Sequence, residues 1–345
     1  MSTLSIMSNR IVTVFGGSGF LGRHLIQQLA QQGALIRVAV RRPEFAGFLR
    51  PMGGVGQVTL VQANVRNDAS VAQAIEGANE VVNLTGILYE RSRQRFGEIH
   101  STAPGRIARA ARAAKVSKLV HVSAIGANLA ANSAYARSKA AGEVALLEAF
   151  PQATILRPSL MFGPEDDFFN KFGALARIAP GLPVFFDVRQ KPKFRFEGLY
   201  MMPEIEAGTT RYQPVYVSDV AQAINRVLAN PVDDCAGKVY ELGGPKIYSY
   251  RELMQLVAHE TQYKRLIVPV PFFVADILGF FAQLMPEPPF TVDQAKMLRA
   301  DNVVEEGALT LADLGISASA AELVLPTYLH RFRKARTDSR PQTQS

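Results

Sequence analysis

Ile11-Val12-Thr13-Val14-Phe15-Gly16-Gly17-Ser18-Gly19-Phe20-Leu21-Gly22 joins a β-branched apolar run to glycines at Gly16, Gly19 and Gly22, and His24, Leu25, Ile26 and Leu29 follow with helical spacing. One glycine lets the chain turn sharply, one lets backbone N–H groups approach a pyrophosphate, and one lets the helix lie close on the strand. The helix N-terminus then offers unpaired N–H groups and a partial positive charge to phosphates. The glycine spacing alone also fits a plain strand–turn–helix. With the strand before it and the helix after it, the stretch predicts a dinucleotide site.

Beyond this unit, short apolar runs alternate with helical stretches as far as residue 157. Strands are predicted over 11–15, 35–40, 58–62, 80–84, 118–123 and 154–157, with helices over 22–32, 69–76, 102–114 and 134–149 between them. Parallel strands covered on both faces read as continuous apolar runs, and 35–40 and 80–84 mostly do. The fold class is therefore α/β, a Rossmann-like doubly wound parallel sheet with a smaller, mainly helical C-terminal domain.

After Pro158 the texture changes, and 164–211 mixes Pro, Gly, aromatics and charge without a long periodic segment. A strand at 213–217 precedes a helix at 218–228 with Ser218 or Asp219 as its N-cap. A strand at 238–242 is placed to rejoin the main sheet, and helices dominate from Ser249. The expected organisation is a loose lead over 1–10 and a dinucleotide-binding domain over 11–165, rejoined by about 213–245. A substrate or partner region occupies 166–212 and 246–335, and a disordered tail 336–345.

With 345 residues, 48% of them hydrophobic and 20% charged, the chain can bury a large core, which argues against wholesale disorder. A single cysteine, Cys235, excludes an internal disulfide framework and fits a reducing compartment. The five histidines, His24, His100, His121, His259 and His330, lack metal-ligand spacing, so no metal is expected. A net charge of +8 serves solubility, or a negatively charged partner such as a phosphate-rich cofactor, anionic lipid or an acidic protein face. Nucleic acid is not expected. The basic clusters (Arg91, Arg93, Arg95; Arg106, Arg109, Arg112, Lys115, Lys118; Arg331, Arg333, Lys334, Arg336) accompany no recognition helix or aromatic RNA-binding motif. The residues before Ile11 carry neither a secretory nor an organelle-targeting pattern, so the expected location is cytoplasmic.

The second strand runs out into Arg41-Arg42-Pro43. An NAD-selecting fold normally has Asp or Glu there for the ribose 2′-hydroxyl, whereas guanidinium groups suit a 2′-phosphate. Against the alternative of a solvated turn, this predicts NADP(H) over NAD(H). Asn64 and Val65 follow the third strand, and Leu84, Thr85 and Gly86 close the fourth, both at carboxyl ends where ligands bind. Asn64 is placed to meet an adenine edge, and the Thr85–Gly86 backbone to lie near a ribose.

Tyr135-Ala136-Arg137-Ser138-Lys139 puts a phenol and an ammonium one helical turn apart. A nearby ammonium lowers a phenol's pKa, which makes Tyr135 a proton donor or acceptor near neutral pH. Together with the glycine loop and a fifth strand that ends at Val122-Ser123, this pair resembles the extended and atypical short-chain dehydrogenase/reductase superfamily, including its NAD-dependent epimerase/dehydratase group. Within it, the chain is similar to the family of NADPH-binding accessory subunits of respiratory complex I and their bacterial relatives. The matching residues include His121-Val122-Ser123, Lys139-Ala140-Ala141-Gly142-Glu143, Arg157-Pro158-Ser159-Leu160-Met161-Phe162-Gly163-Pro164, Gln213-Pro214-Val215-Tyr216-Val217-Ser218-Asp219, Leu242-Gly243-Gly244-Pro245 and Asp313-Leu314-Gly315.

The resemblance implies a tightly held, largely structural NADPH and complex I subunits as partners. It carries cofactor contact onto Gly16, Ser18, Gly19, Phe20, Leu21, Arg41, Arg42, Asn64, Tyr135 and Lys139; with Gly22, Val65, Leu84, Thr85, Gly86 and Pro158 these make the expected cofactor-binding set, and Tyr135, Lys139 and Ser123 are the expected catalytic positions. Active extended members usually carry a Ser/Thr run after the fifth strand, whereas here Ser123 precedes Ala124, Ile125 and Gly126. Two readings stand at this point. The first, favoured by the resemblance, is an accessory or assembly subunit of complex I. The second is an NADP-dependent reductase, epimerase or dehydratase acting on a nucleotide-linked or quinone-like substrate, which would lie under 162–181 and the 191–211 loop with Lys191, Lys193, Phe194, Arg195 and Phe196.

The most hydrophobic stretch, 269–286, contains Phe272, Phe273, Ile277, Leu278, Phe280, Phe281 and Leu284. As a helix its 18 residues extend about 27 Å, short of the roughly 30 Å of a bilayer core, so no span is predicted. It is either a core helix or, over 270–285, a peripheral contact with membrane subunits or with the inner face of the cell membrane. Asp276, Gly279 and Gln283 make its narrow polar stripe.

Overall fold

A computed structural model describes residues 10–188, 193–197, 200–204 and 206–333. The expected lead, except Arg10, and the expected tail lie outside them, as do Lys191 and the side chains of 193–197 in the proposed substrate loop. The predicted strands form β1 (Ile11–Phe15), β2 (Leu35–Val40), β3 (Val58–Gln62), β4 (Glu80–Asn83), β5 (Lys118–Val122) and β6 (Thr154–Pro158). Val239–Leu242 joins beside β6, which gives the order Val239–Leu242, β6, β5, β4, β1, β2, β3, with every neighbouring pair parallel. The order reverses between β1 and β4, so their carboxyl ends open the crevice where doubly wound sheets take ligands.

Helices cover both faces. Val12, Val14 and Val38 meet Leu25, Ile26 and Leu29 of α1 (Phe20–Gln31) on one side. Phe15 and Val81 meet Ile75 of α2 (Asp68–Ile75), Ile107 of α3 (Ala103–Ala113) and Leu146 of α4 (Ala134–Ala149) on the other. A third core, built on Phe162, Phe169, Val184, Tyr250, Leu253, Val257 and Tyr328, holds the C-terminal region.

Three expectations need correction. The 164–211 stretch contains α5 (Phe168–Ile178), whose inward face of Phe169, Gly173 and Ala176 has helical spacing hidden by an unusual middle member. Gly173 is needed there because the Phe332 ring comes within 2.8 Å of the place a Cβ would occupy. The following helix, α6 (Val217–Ala229), starts one residue early with Tyr216 as its N-cap. Neither Ser218 nor Asp219 caps it, because Ser218 accepts from Gln28 of α1 and Asp219 accepts both the N–H and the hydroxyl of Ser319. Finally, only Phe272–Ala282 of the 269–286 stretch is helical. Leu266–Pro271 ahead of it pairs in parallel with Gly181–Phe186. Among the described residues no helix is long and apolar enough to cross a membrane.

The tightest helix approach lies beneath α4. A Cβ on Gly142 would sit 1.8 Å from the His100 carbonyl oxygen, in the short helix Gly97–Thr102 that leads into α3. Gly142→Ala should therefore lower stability by about 3 kcal/mol in urea denaturation, through overpacking against backbone. Gly47→Ala, where nothing lies within 4 Å, should change it by less than about 0.5 kcal/mol.

Candidate functional site

The crevice is built by absences as much as by side chains. Gly16 has φ +78, and a Cβ there would lie 2.9 Å from the Leu84 carbonyl carbon and 3.1 Å from Thr85 N. Leu84 N–H donates to the Phe15 carbonyl at 2.9 Å, which locks the ends of β1 and β4 together. A Cβ on Gly22 would sit 2.3 Å from the Gly17 oxygen, so the first turn of α1 rests directly on the loop. Gly19, the exposed N-cap, would meet only the Gly16 oxygen, at 3.3 Å, and no side chain caps the helix. The N–H groups after it, from Phe20 and Leu21, are thus presented to the crevice, with the Leu21 side chain buried in the core beneath. Ser18 is half-buried in the same loop.

The other predicted contacts line the carboxyl edge of the sheet. Arg41 and Arg42 are exposed beyond β2, with the Arg42 guanidinium 5.7 Å from the Phe45 ring centroid. Asn64 turns its side-chain oxygen onto the Arg66 N–H at 3.1 Å. Val65 is a core residue whose carbonyl accepts from Arg106 at 2.7 Å. Pro158 ends β6 and accepts from Ile125 N–H at 3.1 Å. Gly86 lies against Lys139 and His100: its missing Cβ would be 3.6 Å from Lys139 Nζ and 3.7 Å from His100 Nε2.

Two buried hydrogen-bond chains, which sequence reasoning missed, hold this edge. Thr85 N–H and hydroxyl both donate to the Asn83 side-chain oxygen, at 3.0 and 2.6 Å, so the Asn83 amide must donate to His121 Nδ1, at 3.1 Å. His100 Nε2 accepts from Ile87 N–H at 3.0 Å, so its Nδ1 proton goes to the Ser138 hydroxyl, which donates to the Tyr135 carbonyl at 2.7 Å. Burial first, then the Lys139 charge, holds His100 at a pKa of about 2 and His121 at about 3, so both rings stay neutral. A histidine without metal-ligand spacing gave no signal of either role. Asp293, also missed, accepts from the Ser133 hydroxyl at 2.8 Å, Ala134 N–H at 2.7 Å and Tyr135 N–H at 2.9 Å, and so caps α4 from the C-terminal region.

The Tyr135–Lys139 pair behaves differently from expectation. Burial pushes the Tyr135 phenol up to about 12, and the Lys139 ammonium, 5.9 Å from the ring centroid, does not reverse it. Burial also brings Lys139 down to about 8, against the attraction of Glu143, while its Nζ donates to the Val122 carbonyl at 3.1 Å. Tyr135 therefore keeps its proton at neutral pH and is a donor rather than a base. The Ser123 hydroxyl, just past the end of β5, is buried without a hydrogen-bond partner.

A reversal crevice with an uncapped helix start and a Tyr–Lys pair defines an α/β protein of the dinucleotide-binding type. The chain belongs to the NAD dependent epimerase/dehydratase family, which its residues 12–243 match. It is 33% identical over 341 residues to NADH dehydrogenase (ubiquinone) 1 alpha subcomplex subunit 9, mitochondrial, of Arabidopsis thaliana, covering 96% of this chain and 80% of that protein. The Mus musculus protein of that name is 31% identical, covering 96% and 83%. Among solved structures, the Citrobacter sp. triphenylmethane reductase complexed with NADP(H) shares the fold, with a TM-score of 0.67 at 20% identity over 92% of this chain and 99% of that one.

The buried ammonium makes stability depend on pH. Folded Lys139 loses its proton at about 8, whereas an unfolded lysine keeps its own to roughly 10.4. Between these values the unfolded state binds more protons, so this residue's contribution rises with pH. Lys139→Met should be more stable than the parent near neutrality, and its advantage should shrink by about 3 kcal/mol by pH ~10.5, as read from denaturation midpoints at each pH.

Proposed function

We propose that this chain is an accessory subunit of a respiratory NADH:ubiquinone oxidoreductase, complex I, which carries NADP(H) as a structural cofactor. The observation that carries the reading is the 96% coverage of the chain by the subunit 9 relatives, well past residue 243 where the family match ends. The residues fit the cofactor: the uncapped start of α1 suits its pyrophosphate, Arg41 and Arg42 suit a 2′-phosphate, and Lys139 suits the nicotinamide ribose. When bound, the nicotinamide can supply a hydride. In this reading Tyr135 and Lys139 hold the ribose, because Tyr135 is not poised as a base and the Ser123 hydroxyl is isolated. A nucleotide bound only to the folded state stabilises it by mass action, without turnover.

The helix Phe272–Ala282 supplies the docking face. Within it only Ala275 and Gly279 are buried, while Phe280 is 60% and Phe281 62% exposed, and Leu284, just beyond its end, is 76% exposed. Leu266 and Val268 extend the apolar surface onto the neighbouring strand. A row of outward aromatic and aliphatic side chains on a chain of net charge +8 suits the anionic surface of a bilayer, on the side that bears the complex's hydrophilic arm.

Two outcomes are expected. Replacing both Arg41 and Arg42 by Ala should weaken NADPH binding by at least about tenfold, at roughly 1.4 kcal/mol per decade, and leave NADH binding unchanged in fluorescence titration. Equal loss for both nucleotides would remove the 2′-phosphate assignment. Gly19→Val, which puts a branched side chain at the mouth of the crevice, should lower assembled complex I on native gels, while Gly47→Ala, where nothing lies within 4 Å, should leave it at parental level. Normal assembly with the filled crevice would overturn the structural role.

A further inference from the structure

One chain of contacts runs from the apolar helix to the head of α4. The helix Phe272–Ala282 seats on the segment after it through a glycine: a Cβ on Gly279 would lie 2.7 Å from Val292 N and 2.8 Å from the Thr291 carbonyl carbon. Arg299 pins the same helix, with its guanidinium 2.6 Å from Asp276 and 4.8 Å from the Phe272 ring centroid. The seat begins the short helix Val292–Met297, fixed by the reciprocal bonds of Thr291 and Gln294. Its second residue, Asp293, closes over Ser133, Ala134 and Tyr135 with three hydrogen bonds. The linking stretch also reaches the loop after β4, where Glu287 pairs with Arg91 at 3.2 Å.

Resting on the function proposed above, we infer that docking of the apolar helix on a membrane surface and nucleotide binding in the crevice are thermodynamically linked, with Asp293 as the positioning residue that joins them. The carboxylate fixes the first turn of α4, and with it the Tyr135 ring that must meet the ribose. A helix held by lipid holds Thr291–Asp293, and so keeps the crevice in its binding shape. Asp293 touches neither ligand and acts only through α4. Linkage is reciprocal: whatever factor lipid adds to nucleotide affinity, the nucleotide adds to lipid affinity.

The experiment uses the full purified chain, NADPH, and phosphatidylcholine vesicles with about one-third phosphatidylglycerol. NADPH is titrated with and without saturating vesicles, and vesicle sedimentation is measured with and without NADPH. Each affinity should rise by the same factor, about fivefold. In Asp293→Asn, which keeps size but loses the charge that serves three donors, both ligands should still bind and the factor should fall to one. Ser133→Ala, which removes one donor, should reduce the factor partway and serves if the first variant does not fold. A factor of one in the parent, with both ligands bound, overturns the linkage and leaves the function reading intact. An undiminished factor in the variants overturns the role of Asp293. If vesicles or NADPH fail to bind the parent at all, this inference falls together with the reading beneath it.

Discussion

The backbone of Leu84 and Thr85 occupies the place where a side chain on Gly16 would stand. That contact depends on a positive φ and on the missing Cβ together, and it lets the carboxyl ends of β1 and β4 close to hydrogen-bond distance at the reversal of strand order. A crevice arises there because the helices that follow the two strands leave on opposite faces of the sheet. The glycine loop then aims the unpaired start of α1 across it, while Asn83, between Thr85 and His121, holds the opposite wall. Any side chain at residue 16 would open the sheet at its centre.

Behind that wall lies a lysine in an apolar setting beside two histidines. Three cations there would be untenable, and the cost is avoided because both rings are neutral and each has a fixed tautomer. His100 is thereby committed as an acceptor toward Ile87 and a donor toward Ser138, which ties the loop after β4 to the helix that bears Tyr135. Farther along α4, Glu143 binds Arg157 through both carboxylate oxygens, and Arg157 also reaches Glu241 at 3.5 Å, linking α4 to β6 and to the strand that rejoins the sheet. The α4 helix is thus held at its head by Asp293 and along its length by His100, the Val122 carbonyl and Arg157, partners from three other elements.

Local patterns reveal what local physics dictates. The strands and helices from Ile11 to Pro158 were legible because buried parallel strands are continuously apolar and the glycine spacing marks one kind of turn. Gly16, Gly19 and Gly22 and the Tyr135–Lys139 pair could be placed from their spacing together with the strands and helices that flank them. The helix Phe168–Ile178 was missed because its inward face is completed by a glycine that exists to admit Phe332, more than 150 residues away in sequence. Asp293 and His100 were equally hidden, since each acts on α4 through contacts that only the tertiary fold brings together. The sign of the Tyr135 shift was misread for a related reason. A charge one helical turn away is visible in sequence, whereas the burial that outweighs it is not.

The helix Phe272–Ala282 reverses the usual arrangement of a surface helix. Its small residues, Ala275 and Gly279, face inward, and Phe273, Ile277, Leu278, Phe280 and Phe281 face outward. Turning it over would bury more apolar area, at roughly 25 cal/mol per Å², were the seat able to receive large side chains. It is not: Thr291 and Val292 come within 3 Å of where a Gly279 side chain would begin, and Arg299 grips Asp276 and Phe272 on that same side. The seat therefore selects the orientation that leaves the aromatics in water, a state that costs free energy in an isolated chain. An outward surface of this kind is relieved only by something apolar laid against it. The residues that impose the orientation lead directly to Asp293 and the head of α4, so the helix that leaves its aromatics exposed is joined by an unbroken series of contacts to the edge of the crevice.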